Sequence, residues 1–247
     1  MTHKHKAAAL GVPSLTWQFG QERRLQLIQK HAPFTGKTVL DIGCGIGTYV
    51  GRMREFASYV AGIDGDYEYL SQGAQALSDL ALSTTEALPF PDNAFDVALM
   101  HEVLEHVTDD QQSIHEAWRV LNVGGWLVLF VPNRLYPFET HGHYWKGTYH
   151  FGNTPLINYL PDPLRDRLAP HVRAYTTTDL RRLFSNLHHR VVIHTQIFPG
   201  YDKIVRRRPN LARLFRKVTY LMEATPIRTF GISHFLVLEK LSPKLLT

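Results

Sequence analysis

"VLDIGCGIGTYV", Val39 to Val50, is an apolar run that breaks into a turn carrying an aspartate, a cysteine and three glycines. The run reads as a buried strand and the residues after the turn as a helix. Glycine at 43, 45 and 47 permits positive φ and lets a ligand approach the backbone closely. The question the stretch poses is which ligand wants so bare a backbone with the Asp41 carboxylate beside it.

The pattern around it sets the fold. Strand-like runs fall at 37–43, 58–64, 79–85, 94–100 and 124–132, and helical patterns at 46–56, from Asp66 onward and at 109–121. Strands that alternate with helices predict a parallel, doubly wound α/β sheet. Two further strands, 190–198 and 234–241, bring the expectation to a seven-stranded, mostly parallel sheet of Rossmann-like type. Ligands of such sheets sit at the carboxyl ends of the strands, near the topological switch point. The quoted turn lies at such an end.

The whole chain, 1–247, reads as one domain. Residues 1–36 form a basic tail and an N-terminal helix, with Ser14 as its cap and Leu25 and Ile28 on its apolar face. Two segments interrupt the alternation, 133–175 and 199–231, and are expected to fold over the ligand end as lid insertions. Between them a helix near 177–187 is opened by Thr176 to Thr178.

Bulk composition narrows the classes. The one cysteine, Cys44, excludes an internal disulfide, and a lone thiol suits a reducing, cytoplasmic setting. No apolar run approaches the length of a membrane span or a secretory leader. Net charge is +5, and much of the excess sits in "KIVRRRPNLARLFRK", 203–217. That run is read as a solvated face, or as a contact with an acidic substrate or, peripherally, with an anionic membrane surface.

For the glycine turn two ligands compete, a dinucleotide and an adenosyl compound without phosphates. Asp64 ends the second strand, where an acid takes both hydroxyls of a ribose. Asp41 decides between them. A carboxylate there repels a pyrophosphate, and a cleft of low dielectric amplifies the cost. S-adenosylmethionine carries an ammonium, a sulfonium and one carboxylate, and gains from an adjacent acid. The spacing is also G-x-G-x-G, where dinucleotide sites show G-x-G-x-x-G.

Taken together, "VLDIGCGIG", the "GID" ending in Asp64, "EALPFPDNAFDVALMHEVLEHV" and "LNVGGWLVLFVPN" resemble the class I S-adenosylmethionine-dependent methyltransferases, in particular the group that includes the ubiquinone-biosynthesis methyltransferases. The likeness covers about 37–133. It implies that the seventh strand is antiparallel and that S-adenosylmethionine is the cofactor. It also implies that Gly43 and Gly45 border the methionine part, that Asp41 faces its ammonium and that Asp64 binds the ribose. Gly65 and Asp66 then pass beneath the adenine, and His101 borders the methionine part and the transferable methyl. The family's aspartate before "EALPF" is Thr84 here, which leaves adenine to Thr84 and the backbone around Thr85 and Glu86. The family's Lys-Pro-Gly-Gly turn is Asn122-Val123-Gly124-Gly125, a change that bears on stability.

The acceptor is expected to be a small molecule. Base-amino methylases carry Asn/Asp-Pro-Pro-aromatic after strand four, where this chain reads "MHEV". Cytosine carbon methylation needs a cysteine nucleophile, and Cys44 sits in the cofactor turn. Nucleic acid is therefore not expected. The rings of Tyr136, Phe138, Tyr144, Trp145, Tyr149 and Phe151 suit a lipid-like, glycosylated or natural-product metabolite, methylated on oxygen. A non-catalytic cofactor- or partner-binding module is the alternative. A hydroxyl acceptor calls for a base, and histidine suits the task. His143, His101 and His141 are the candidates, with His106 read as a packing or capping residue. Glu139, His141 and His143 alternate along an apparently extended chain and so share a face. That spacing permits a metal, but no further cluster adjoins it, so a polar substrate-lining loop and no metal is the expectation.

Overall fold

The computed structural model describes residues 17–205 and 208–242. The proposed Ser14 cap lies outside them, as do Arg206 and Arg207. A seven-stranded sheet forms the centre, in the order β10-β11-β5-β4-β1-β2-β3. Its strands are β1 (Thr38–Ile42), β2 (Tyr59–Asp64), β3 (Leu80–Leu82), β4 (Phe95–His101), β5 (Leu121–Pro132), β10 (His189–Ile197) and β11 (Ser233–Lys240). β1, β2, β3, β4 and β5 pair in parallel, and β11 runs antiparallel to both β5 and β10.

The central strands are apolar because both faces are covered. Leu40, Ile42, Ala98, Met100, Leu127 and Leu129 join one core layer, while Val39, Val97, Leu99, Val128 and Phe130 join the other. Alternate residues supply opposite layers, as the pleat requires. The first layer packs against α4 (Asp110–Val120) and α6 (Thr177–Leu183), and the second against α1 (Phe19–His31) and α2 (Thr48–Met53). α3 (Tyr67–Gly73) follows β2. β5 begins three residues before the expected 124, because pairing resumes at Phe95↔Leu121 across an irregularity and so takes in the glycine pair. There Gly124 has φ +80, and Asn122 donates to Asp96 Oδ1 at 3.0 Å in place of a proline-set turn.

The segment 133–175 folds as a small substructure. Two short antiparallel pairs, β6 (Phe138–Glu139) with β9 (Thr154–Pro155) and β7 (His143–Trp145) with β8 (Thr148–His150), precede α5 (Asp162–Leu168). Arg165 of α5 is 2% exposed and holds the substructure together. It donates to Glu139 Oε2 at 3.1 Å, Val172 O at 2.9 Å and Asn158 Oδ1 at 3.4 Å.

The segment 199–231 carries α7 (Asp202–Val205) and α8 (Pro209–Met222). It is tied to α1 by the Arg23–Glu223 ion pair, by the Gly20 N–H donating to Asp202 Oδ2 at 3.1 Å, and by Arg216 stacked 3.8 Å over Phe19. No helix among the described residues is long and apolar enough to cross a membrane.

Candidate active site

A cavity of about 810 Å³ opens at the carboxyl ends of β1, β2 and β4. That is toward the upper end of the roughly 300–1,000 Å³ usual for small-molecule sites. Its floor is the turn after β1, with Asp41, Gly43, Cys44 and Gly45 in the wall. Gly43 and Gly45 adopt φ +77 and +57, the left-handed region that favours glycine. At Gly43 a Cβ would also meet Val103 Cγ2 at 2.3 Å, so the missing side chain is filled by protein there. Gly47 does not line the cavity. It caps α2 at φ +78, and a Cβ on it would meet Leu77 at 2.4 Å.

Asp64 is the hinge of this floor. Its Oδ2 accepts from the Gly45 N–H and its Oδ1 from the Asp66 N–H, each at 2.8 Å. One carboxylate thus fixes the glycine turn against the end of β2, and each oxygen keeps a further lone pair for a ligand. Burial raises its pKa, against those hydrogen bonds. Asp41 is 2% exposed, and burial first, then the charge of Asp64, pushes it up to about 7. Two buried acids, one of which makes ionisation of the other costlier, set around a bare turn, fit a ligand bearing positive charge. S-adenosylmethionine meets that requirement and a pyrophosphate does not.

Gly65, Thr84, Thr85 and Glu86, the residues expected around the adenine, line the cavity. Glu86 Oε1 is engaged by the Thr108 and Asp109 N–H groups, at 3.0 and 3.3 Å. Asp66 departs from its expected place beneath the adenine. Its side chain turns back to cap α3, accepting from Glu68 N at 2.8 Å and Tyr69 N at 3.3 Å, and Tyr69 lines the cavity instead. Cys44 is buried, and burial first, then the two aspartates, push its thiol up, which disfavours the thiolate a nucleophile needs.

The histidines separate sharply. His101 lines the cavity, but its Nε2 lies 2.6 Å from Arg24 Nη1 and 3.4 Å from the Tyr49 hydroxyl. Arginine only donates, so this nitrogen is the acceptor and the ring proton is assigned to Nδ1. Burial, reinforced by the Arg24 charge, holds His101 down to about 3. It has no free Nε2 lone pair with which to take a proton, which argues against the general-base role expected of it.

His143 is absent from the cavity wall. It sits on the β7–β8 hairpin, stacked on His150 with its Nδ1 2.9 Å from Thr154 Oγ1. His141 and His106 do line the cavity. The His141 Nδ1 lies 3.1 Å from Glu139 Oε1, and the His106 Nδ1 lies 3.4 Å from the His171 carbonyl oxygen.

Several lining residues had no mark in the sequence reading. Gln21 and Arg24 come from the first helix and Gln18 from its N-cap, and Tyr201 and Asp202 from the second insertion. Arg24 is the most connected of them. It also donates to Ser233 Oγ at 3.1 Å and pairs with Glu102 Oε1 at 3.2 Å. Glu102 sits at φ +56 directly after β4.

Residues 40–129 match the family described as "Methyltransferase domain". A ubiquinone biosynthesis O-methyltransferase of Paraburkholderia phymatum is 35% identical over 119 residues, 45% of this chain and 51% of that protein. A 37.1 kDa transposon protein of Streptomyces fradiae is 37% identical over 106 residues, 40% of this chain and 31% of that protein. The chain thus spans about half, or less, of the length of these curated relatives. Among solved structures, an S-adenosylmethionine-dependent methyltransferase from Mesorhizobium loti shares the fold. Its TM-score is 0.61 at 18% identity, over 87% of this chain and 96% of that one. The family match over residues 40–129, the sheet order and the glycine turn together support a class I S-adenosylmethionine-dependent methyltransferase domain. That match and the shared fold imply S-adenosylmethionine as the cofactor.

Proposed function

We propose that this protein transfers the methyl group of S-adenosylmethionine to a hydroxyl oxygen of a small molecule of lipid-like, glycosylated or natural-product type. The observation that carries the cofactor part is the Asp41–Asp64 pair around the Gly43–Gly45 turn, in the floor of one large cavity. Asp64 takes the ribose hydroxyls and Asp41 the ammonium. Methyl transfer disperses positive charge, so the chain's main contribution is alignment of acceptor and methyl in a closed site. Tyr136 and Phe151 from the first insertion and Tyr201 from the second bring rings to the same cavity, which favours an amphiphilic acceptor. With both insertions lining it, we assign them the part of a lid.

The relatives' names favour oxygen as the acceptor atom, since one is a ubiquinone biosynthesis O-methyltransferase. The exposed apolar residues of α8, including Leu214 and Leu221 at 57% and 65% exposure, favour acquisition of the acceptor at a membrane surface from the cytoplasmic side. The deciding experiment supplies isotopically labelled S-adenosylmethionine and a metabolite extract to the purified protein, with mass spectrometry of labelled products. A labelled O-methyl product supports the reading. Cofactor binding with no S-adenosylhomocysteine release across the extract supports the non-catalytic module instead.

A further inference from the structure

The metal considered from sequence rested on Glu139, His141 and His143, and none was expected. The fold assembles a different trio. Glu105, His106 and His141 each bring one ligand atom to within 4.8 Å of the others. Glu105 is the anomaly. It is 1% exposed, no N–H donor among the described residues reaches either carboxyl oxygen, and the neighbouring Glu102 carboxyl adds repulsion rather than relief. Its closest approach to the imidazoles is 3.9 Å, from Oε1 to His141 Nε2. A buried carboxyl with no partner is costly, and native folds rarely tolerate one without a reason.

The two imidazoles are already oriented. The Nδ1 of His141 is held by Glu139, whose other oxygen accepts from the buried Arg165. The Nδ1 of His106 faces the His171 carbonyl. Each ring therefore offers Nε2 as its open nitrogen. A carboxylate or carbonyl behind the far nitrogen is the arrangement that orients metal-bound histidine.

We propose that Glu105, His106 and His141 bind one first-row divalent transition-metal ion in the wall of the cofactor cavity. Two imidazoles and a carboxylate suit an ion of the zinc or iron(II) type rather than magnesium or calcium. Ligand atoms about 2.1 Å from one ion lie at most about 4.2 Å apart, so the trio needs to close by only about half an ångström. His106 and His141 line the cavity and Glu105 lies behind them. The fourth coordination position therefore faces the cavity, where a hydroxyl of the acceptor completes it. That last role rests on the methyl-transfer reading; binding of the ion does not.

The test is a titration of the chelator-stripped full chain with Co²⁺, read by visible absorption, beside calorimetry with S-adenosylmethionine on the same samples. The expected result is one equivalent bound, with affinity falling roughly tenfold or more in His106→Ala and His141→Ala. His141 is partly exposed on a loop, so its truncation leaves the fold intact, and Glu105→Gln removes the anionic ligand while keeping its volume. Retained S-adenosylmethionine affinity certifies each variant as folded. No Co²⁺ uptake, or uptake unchanged in His141→Ala and Glu105→Gln, overturns the site. Failure of the unaltered protein to bind S-adenosylmethionine would instead strike the methyl-transfer reading and leave the metal result standing.

Discussion

Arg24 and His101 stand 77 residues apart in the chain and meet at 2.6 Å, Nη1 to Nε2. The same guanidinium pairs with Glu102 and reaches Ser233, so one side chain of α1 ties the ends of β4 and β11 to the cavity. Burial opposes the charge of Glu102, but Arg24 and the Ser233 hydroxyl outweigh it and bring the carboxyl down to about 2. Arg24→Met keeps the apolar stem and removes the charge. Glu102 is then left half-buried without its cation. The expected loss is about 2 kcal/mol, below the usual cost of a broken buried pair because both side chains keep some solvent contact. Denaturant unfolding of the two proteins measures it, and an unchanged midpoint would show the anchor to be dispensable.

Asp41 links cofactor binding to pH. Its carboxyl is held up to about 7, by burial first and by Asp64 second. A cationic ligand favours the ionised form. Below about pH 7 the free protein must release a proton when it binds, so affinity rises with pH and levels off above that point. For folding, the raised carboxyl pKa means that the free native state holds the extra proton. The associated stability is full below the ordinary aspartate value of 3.8 and is lost as pH rises through about 7. Calorimetry in buffers of different ionisation enthalpy should register proton release on the acid side, and Asp41→Asn should abolish it. Proton-independent affinity in the unaltered protein would rule out Asp41 as the group facing the ammonium.

Gly43 is constrained twice, by φ +77 and by Val103. Gly43→Ala pays about 1–2 kcal/mol for the left-handed backbone and more for the overlap with the Val103 methyls. Adding Val103→Ala removes the overlap and leaves the backbone cost. A double-mutant cycle on unfolding free energy should therefore show a favourable coupling between the two substitutions. Additive losses would mean that the turn shifts and the contact is not a constraint.

The sheet was legible because its central strands are buried on both faces and read as unbroken apolar runs. β1, β4 and β5 needed no pairing information to be seen. The direction of β11 came from resemblance alone, since nothing in "HFLVLEKL" states which way it runs. The candidate site was legible where the cavity wall is built from backbone, as in the turn from Asp41 to Gly45. It was illegible where distant side chains meet, as at Arg24. The pairing of His141 with His143 failed for a local reason. Their shared face assumed an extended chain, but Gly142 between them has φ +85 and turns His143 onto the hairpin. The same turn leaves His141 beside His106, their ring centroids 5.3 Å apart.

α8 presents Leu214, Phe215, Val218 and Leu221 to solvent at 57%, 40%, 46% and 65% exposure. Arg216, counted in the sequence among its basic residues, faces inward instead, bonded to Gly200 O and Asp202. Arg208, Arg213 and Lys217 remain on the helix or at its cap for lipid headgroups. If α8 lies on an anionic surface, Leu214→Glu with Leu221→Glu removes apolar contact and adds repulsion, and sedimentation with anionic vesicles should fall at least roughly tenfold. Cofactor binding should stay unchanged, because neither residue touches the cavity. Vesicle binding that ignores both substitutions would assign the exposed face to something other than lipid.

His141 and His143 make the sharpest comparison, two residues apart and on opposite sides of the cavity wall. His143 rests on His150 and Thr154, so His143→Ala should cost under about 1 kcal/mol of stability and leave turnover within about twofold. His141 faces the cavity with Nδ1 held by Glu139, which leaves Nε2 as the nitrogen able to reach an acceptor hydroxyl, through the proposed ion when that is bound and directly when it is not. A residue in that position contributes roughly 10²–10⁴-fold to the rate when it moves or holds the proton. His141→Ala should therefore lower kcat by about that factor on the identified acceptor, with S-adenosylmethionine affinity retained. Single-turnover rates with labelled cofactor give both values in one experiment. Equal turnover by the two variants would place the acceptor's proton in the hands of some other group.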